Sequence, residues 1–131
     1  MARVTGIGGI FLKSGDRPRL IDWYRDHLGI PVGPYGARFD WRPVEDPEAE
    51  GHTVWGVFDS ETTYLDPSDA PFMVNYRVDD LDGMLAQLKA AGAQVIDRIE
   101  EYEYGRFGWA MDPDGNKIEL WEPTDVAPAN E

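Results

Sequence analysis

Hydrophobic residues in the first half of the chain recur in an order that predicts a strand, a helix and two further strands. Residues 5–14 read as a strand with glycines at its start, where two backbones can approach closely. Asp16 is a suitable N-cap, and Gly29 ends the helix that follows. The apolar positions at helical spacing are Leu20, Ile21, Trp23, Tyr24 and Leu28. Residues 37–43 and 52–59 are the two further predicted strands.

The second half of the chain repeats this order. Residues 72–78 predict a strand, Asp79 or Asp80 an N-cap, and Gly92 the end of a second amphipathic helix. Its apolar face consists of Leu81, Met84, Leu85 and Leu88. The offset of about 64 residues indicates an internal repeat. Because neither unit alone buries both faces of its sheet, we expect the two to pair and curl around a shared cleft.

The chain closes with a pattern typical of a β-hairpin. Residues 94–99 predict a short strand and residues 100–103 an acidic link. Residues 112–116, DPDGN, combine the residue types that favour a tight turn between two strands. Alternation on the outgoing strand places Ile118 and Leu120 on one face and Lys117, Glu119 and Trp121 on the other. One carboxylate is thus presented from a strand beside a tryptophan.

Length and composition fit a single globular domain. The 131 residues are 42% hydrophobic and 12% aromatic, enough to build a core. We expect one domain over residues 1–131, made of modules 1–68 and 69–125, with a flexible tail at 126–131. The absence of cysteine excludes disulfides, cysteine nucleophiles and thiolate metal sites.

The net charge narrows the possible partners. The chain has 12 basic and 25 acidic residues, a formal net charge of −13. Nucleic acids and anionic membranes require a basic surface, so we expect neither as a partner, and the acidity is attributed to solubility. No apolar run approaches the roughly 20 residues of a membrane span, and there is no signal-peptide pattern. A cytoplasmic protein is therefore expected.

Two stretches of the sequence resemble one protein superfamily. Residues 23–29, WYRDHLG, and residues 112–123, DPDGNKIELWEP, combine with the repeat as in the vicinal oxygen chelate superfamily. That superfamily includes glyoxalase I, extradiol dioxygenases, epimerases and bleomycin-resistance proteins. The resemblance implies an α+β fold in which two βαβββ modules pair into a curved mixed sheet around a central cleft.

The resemblance also implies where a metal would bind. Metal-using members take ligands, often His and Glu, from the first and last strands of each module. The closing carboxylate matches Glu119, whereas the other three positions fall near Gly9, near Met73 and within residues 54–57, which supply no ligand. One carboxylate does not make a divalent metal site, so no metal or other cofactor is expected. A site of His52, Glu119 and one more group remains an alternative.

If these positions face the cleft, residues two places away on the same strands face it as well. On strands where the alternation defines which face is inward, the candidate ligand-binding residues are Phe11, Lys13, Met73, Asn75, Arg77 and Trp121. Parity is ambiguous in residues 52–59 and 106–111, which add Trp55, Phe58, Arg106 and Trp109. The chain has five tryptophans, more than one core normally requires. A cleft walled by aromatic rings suits a small planar or amphipathic molecule.

Glu119 is the candidate catalytic residue and has three interpretations. It is a hydrogen-bonding group or general base with a pKa raised by desolvation, a salt-bridge partner of Arg77 or Arg106, or a metal ligand with unidentified partners. Residues 102–106, YEYGR, form either a rim that contacts ligand or an ordinary loop.

Two main functions follow from the resemblance. The first is binding of a small molecule without metal, by sequestration as in bleomycin-resistance proteins. The alternative is a lyase, isomerase or dioxygenase of the glyoxalase type, with Glu119 as metal ligand or general base. A dimeric module without a ligand of its own is a third interpretation. We expect a homodimer, since strand edges and helix faces of this fold are commonly buried that way.

Overall fold

The computed structural model describes residues 1–128, and its first module follows the predicted order. Strand β1 (Val4–Ser14) leads to helix α1 (Arg17–Leu28), and strands β2 (Ala37–Trp41) and β3 (Gly51–Asp59) complete the module. These bounds agree with the predicted elements to within two residues, which is the usual uncertainty at element ends.

The ends of α1 are set by the predicted capping residues. The Asp16 side chain accepts a hydrogen bond from the backbone N–H of Arg19, and Pro18 occupies the first turn, where no N–H donor is needed. Gly29 ends the helix with φ = 69°, a left-handed conformation that glycine adopts at low cost. Local sequence is therefore sufficient to define this helix.

The second module departs from the prediction at one place. It consists of strand β4 (Phe72–Val78), helix α2 (Leu81–Ala90) and strands β5 (Glu100–Tyr102), β6 (Gly105–Met111) and β7 (Lys117–Pro123). The short strand predicted at 94–99 is wrong, and the second strand of the module, β5, lies instead in the predicted acidic link at 100–103.

The strand forms at 100–102 rather than at 94–99 because residues 100–102 are the ones that pair continuously with β6. Val95 makes only an isolated bridge with Ala110, whereas Glu100–Tyr102 pairs in register with Gly105 to Phe107 through a tight turn. Gly105 adopts φ = 142° at the start of β6, a conformation that favours glycine. The acidic residues are tolerated in β5 because it is the edge strand of the sheet.

Within residues 1–128 the strands form one sheet in the order β2–β3–β1–β4–β7–β6–β5. The two modules meet where β1 pairs antiparallel with β4. Each of these strands also pairs in parallel with the last strand of its own module, β1 with β3 and β4 with β7. The predicted α+β fold with a curved mixed sheet is confirmed.

The two helices cover the outer face of this sheet. In the second module α2 buries Leu81, Met84 and Leu85 against that face, and α1 covers Trp55 and Val57 in the first. The inner face carries a third buried cluster formed by Leu65, Met73, Phe107, Trp109 and Trp121. This division follows from period-2 alternation, which sends successive side chains of a strand to opposite faces.

The closing hairpin forms as predicted. Asp112 accepts hydrogen bonds from the backbone N–H groups of Asp114 and Asn116, and Gly115 adopts φ = 83°. The Asn116 side chain also donates to Asp112 at 3.0 Å. Such side-chain bonds to the local backbone fix the turn and with it the register of β6 against β7.

The end of the chain is described as far as Pro128, whose carbonyl oxygen accepts a hydrogen bond from Arg38 Nη1 at 2.7 Å. Residues 129–131 of the predicted flexible tail lie outside the described residues. No helix within residues 1–128 is long and apolar enough to cross a membrane.

Candidate functional site

A cavity of about 470 Å³ opens on the inner face of the sheet. Rings of tyrosine, phenylalanine and tryptophan form most of its wall, while Glu119 and Asn75 contribute its polar groups. The lining residues are Gly8, Phe11, Tyr35, Val54, Tyr64, Asn75, Tyr102, Tyr104, Phe107, Glu119, Trp121 and Pro128. This volume lies within the range found for pockets that bind small organic molecules.

Glu119 is held in this cavity by three hydrogen-bond donors. Strand register places it between Asn75 on β4 and Trp109 on β6. Asn75 Nδ2 donates to Glu119 Oε1 at 2.7 Å, and Trp109 Nε1 donates to Oε2 at 3.0 Å. The hydroxyl of Tyr64, from the loop between β3 and β4, also donates to Oε2. Since a carboxylate has about four acceptor positions, about one remains for a ligand.

The electrostatics of Glu119 reflect competing effects. The side chain is 3% exposed, and this burial raises its pKa above the ordinary value of a glutamate. The three hydrogen bonds and the positive charge of Lys117 act in the opposite direction but do not cancel the effect of burial. The network therefore stabilises an anion at a position where desolvation disfavours one.

Two neighbours of Glu119 are perturbed by the same environment. Burial and the negative charge of Glu119 raise the pKa of the Tyr64 phenol, so this hydroxyl stays protonated and remains a donor. Burial lowers the pKa of Lys117, whose Nζ donates to the Tyr64 carbonyl oxygen at 2.6 Å. Lys117 thus also fixes the loop that carries Tyr64.

The structure brings four of the predicted site residues together at the cavity: Phe11, Asn75, Glu119 and Trp121. Trp55 lies elsewhere, because the parity of β3 turns it to the outer face, where its ring packs 5.0 Å from that of Tyr24. Its neighbour Val54 lines the cavity instead. Assigning Trp55 to the cleft was therefore wrong.

Four further candidates lie outside the cavity wall. Met73 and Trp109 face inward but are buried in the inner cluster, at 1% and 0% exposure. The guanidinium of Arg77 lies 4.9 Å from the Trp121 ring and 5.4 Å from the Trp41 ring. Lys13 is only half-buried and is not among the residues that line the cavity. Position on an inward face is thus insufficient for access to a ligand.

The contacts of Trp121 limit how it can meet a ligand. Arg77 lies over its ring from β4, and Phe107 stacks on it from β6 with centroids 5.7 Å apart at 8°. Because β7 lies between these strands, the two neighbours cover opposite faces of the indole. Trp121 therefore presents an edge to the cavity rather than a stacking surface.

The salt-bridge interpretation of Glu119 is not supported by the positions of the two arginines. Arg106 lies on the outer side, where it pairs with Asp82 at 3.1 Å and with Glu101 at 3.4 Å. Arg77 stacks on tryptophans, and its Nη1 has no hydrogen-bond partner among residues 1–128. Of the three interpretations, a hydrogen-bonded carboxylate of raised pKa agrees with the geometry.

Comparison with known proteins assigns the chain to a family. A family model described as a glyoxalase-like domain matches residues 9–121. The chain belongs to this glyoxalase-like family. The match and the fold together place it in the vicinal oxygen chelate superfamily that the sequence resembles. No curated protein sequence is a significant match.

Solved structures share the fold of this glyoxalase-like domain. Methylmalonyl-CoA epimerase from Mycobacterium tuberculosis is 24% identical with a TM-score of 0.58, covering 92% of this chain and 89% of that one. A variant of the Streptomyces coelicolor epimerase with 2-nitronate-propionyl-CoA is 16% identical, with a TM-score of 0.67 and coverage of 97% and 100%. The Mn(II)-bound glyoxalase from Novosphingobium aromaticivorans is 19% identical, with a TM-score of 0.65, but this chain covers only 42% of it.

The metal of glyoxalase-like proteins can be tested against the residues present. Within residues 1–128, no group of three or more His, Asp or Glu side chains could hold a metal ion. His52 does not join Glu119, because its Nδ1 pairs with Asp40 Oδ1 at 2.9 Å. The carboxylate oxygens of Glu119 are already occupied by three donors. These residues do not fit a divalent metal.

The first strand explains part of this misfit. A bulge between Ile7 and Gly9 directs Gly8, next to the predicted position Gly9, toward the cavity. A Cβ at Gly8 would lie 2.2 Å from Asn75 Oδ1 and 2.8 Å from the Trp121 ring. The Asn75 side chain thus fills the space that a first-strand ligand of this glyoxalase-like domain would need.

Sequence reasoning missed several cavity residues of this glyoxalase-like domain. Tyr35 and Tyr64 come from irregular loops, where no periodicity signals direction. Tyr102 and Tyr104 belong to the segment for which a rim was one interpretation, and their rings stack at the cavity with centroids 5.4 Å apart. Contact of this rim with a ligand stays a prediction.

Proposed function

We propose that this protein binds a small planar or amphipathic molecule in the aromatic cavity and does so without a metal. The observation that carries the proposal is a cavity of about 470 Å³ walled mainly by aromatic rings, with Glu119 and Asn75 as its polar groups. An apolar wall with few polar groups favours a flat apolar body with one directed hydrogen bond.

The remaining acceptor position of Glu119 indicates what that hydrogen bond is. Three donors already reach the carboxylate, so a ligand hydroxyl or N–H would complete its shell. The positive charge of Lys117 already acts on Glu119, and it reduces the attraction of Glu119 for a full positive charge on a ligand. We therefore infer an uncharged donor rather than a cationic group at this position.

The family context agrees with a small-molecule ligand. The Streptomyces coelicolor epimerase of this fold is described in complex with 2-nitronate-propionyl-CoA. Binding without turnover corresponds to the sequestration role of bleomycin-resistance proteins, which we propose as the mode of action. The misfit between Glu119 and a metal supports this choice over metal-dependent chemistry.

Calorimetry with naphthol and its methyl ether tests the proposal, since the two probes share a flat body and differ in one donor. We expect naphthol to bind about tenfold more tightly, the ratio for one buried hydrogen bond to a charged acceptor. Glu119→Gln should reduce this preference, whereas Phe11→Ala should weaken both probes equally. Metal analysis of protein purified without chelators accompanies the titrations.

Two results would contradict the proposal. One is the absence of binding by either probe. The other is stoichiometric Zn, Ni, Fe or Mn that is lost in Glu119→Gln, which would favour the metal-dependent alternative. As a control for changes outside the cavity, Lys89→Gln at the exposed end of α2 should leave both affinities unchanged.

Catalysis is a second candidate function, favoured by the raised pKa of Glu119. A buried carboxyl of raised pKa next to a cavity is a suitable general acid or base for a metal-free isomerase or lyase. Its three bound donors oppose this role, because hydrogen bonds to the carboxylate stabilise the anion and lower its basicity. Proton exchange into a bound carbon acid in D₂O, lost in Glu119→Gln, would support it.

A further inference from the structure

A second cavity, of about 440 Å³, lies beside the main one on the first module. Its walls come from α1, β3 and the loop between α1 and β2. Phe11 and Tyr35 line both cavities, so the two share a wall. Together they provide more room than one flat ring system requires.

The backbone turn that carries Tyr35 is fixed at this shared wall, whereas the Tyr35 side chain is 70% exposed. It lies at the tip of a turn in which Gly33 and Gly36 exchange backbone hydrogen bonds of 2.9 and 3.1 Å. Gly36 has φ = 92°, and a Cβ there would lie 2.3 Å from the Trp55 carbonyl oxygen, so the turn is seated directly on β3. Tyr35 therefore marks the passage between the two cavities.

The second cavity contains one cation without an ion-pair partner. Arg17 Nε donates to the Val57 carbonyl oxygen at 2.8 Å, which orients the guanidinium plane. Arg17 forms no salt bridge within residues 1–128, so the edge carrying Nη1 and Nη2 is available. Asp59 lines the same cavity, but its Oδ1 accepts the Glu61 backbone N–H at 2.9 Å.

We propose that the second cavity binds the carboxylate end of an elongated ligand whose flat apolar body lies in the main cavity. This inference rests on the proposed function of the main cavity. A guanidinium edge accepts a planar carboxylate through two parallel hydrogen bonds. Asp59 on the same wall repels any anion, but it repels the larger negative charge of a phosphate more strongly, so of the two groups a singly charged carboxylate fits better.

The test compares three probes with the same naphthyl body and six-carbon chain, namely the hexanoate, the hexanamide and the hexyl phosphate. Calorimetry on the full chain should show the carboxylate binding about two- to fivefold more tightly than the amide, with the phosphate weaker than the carboxylate. The preference should fall with added salt, because Arg17 is exposed. Arg17→Gln should abolish it and Arg17→Lys should keep part of it.

The matched control is Arg19→Gln, which removes a neighbouring charge on α1 outside both cavities. It should leave the carboxylate preference unchanged. Equal binding of carboxylate and amide in the wild-type protein would overturn the inference while leaving the proposed function intact, as would a preference that survives Arg17→Gln. Failure of all three probes to bind would overturn both. A preference for the phosphate would overturn the assignment to a carboxylate.

Discussion

Replacing Gly8 by alanine tests whether Asn75 and Trp121 pack directly against β1 at Gly8. The added Cβ would lie 2.2 Å from Asn75 Oδ1, 2.8 Å from the Trp121 ring and 3.0 Å from Arg77 Cγ. Real Cβ atoms do not approach neighbours this closely, so Asn75 must move and release its hydrogen bond to Glu119. The variant therefore combines overpacking with a partly unsatisfied buried carboxylate.

The expected cost is the sum of these two effects. Overpacking a well-filled interior costs about 1–3 kcal/mol, and loss of one hydrogen-bond partner of a buried group costs about 1–3 kcal/mol. We expect Gly8→Ala to lower the free energy of unfolding by about 2–6 kcal/mol. At roughly 4 °C per kcal/mol for a domain of this size, the melting temperature should fall by about 8–24 °C.

Urea unfolding followed by tryptophan fluorescence measures this change, with Gly15→Ala as the matched control. A Cβ at Gly15 meets only Ser60 Oγ at 3.9 Å, and the reduced freedom of the unfolded chain should make this control neutral or slightly stabilising. In an Asn75→Ala background the cost of Gly8→Ala should shrink by at least about 1 kcal/mol, because the closest clash is gone. Equal stabilities of Gly8→Ala and Gly15→Ala, or an undiminished cost in that background, would refute the reasoning.

Two other predictions concern pH and assembly. Burial raises the pKa of Glu119, so the folded state holds this proton more tightly than the unfolded chain, and stability falls as the pH rises from about 4 through the folded-state pKa. Glu119→Gln removes this titration. As the pH rises over that range, the free energy of unfolding of the variant should therefore increase relative to that of the wild type. A difference between the two proteins that does not change with pH would contradict this. We also predict a homodimer, because Trp23 and Leu28 on α1 remain 51% and 60% exposed, and a monomeric mass by light scattering would contradict it.

The sequence predicted the framework of the fold because its signals act over short distances. The cap at Asp16, the left-handed Gly29 and the turn at 112–116 each depend on a few neighbouring residues. Alternation on β7 correctly placed Glu119 and Trp121 on the inner face. The one misplaced strand, at 94–99, depended on which segment paired with β6, and pairing is not a local property.

The residues that line the cavity depend on tertiary structure rather than on short-range signals. Trp55 and Val54 are adjacent in sequence, and only the register of β3 decides which of them faces inward. Tyr64 reaches Glu119 from 55 residues away through an irregular loop that carries no periodic signal. The inward turn of Gly8 results from a bulge in the pairing of β1 with β4.

By itself the sequence determined the fold class, most of the helices and strands, and the faces of the last strand that carries Glu119. The tertiary structure decided which rings surround that carboxylate, why Asn75 takes the place of a first-strand ligand, and that a second cavity with Arg17 adjoins the first. The reason is physical. Helices, caps and turns are stabilised by neighbours in the chain, whereas a cavity is formed by side chains that only sheet register and loop paths bring together.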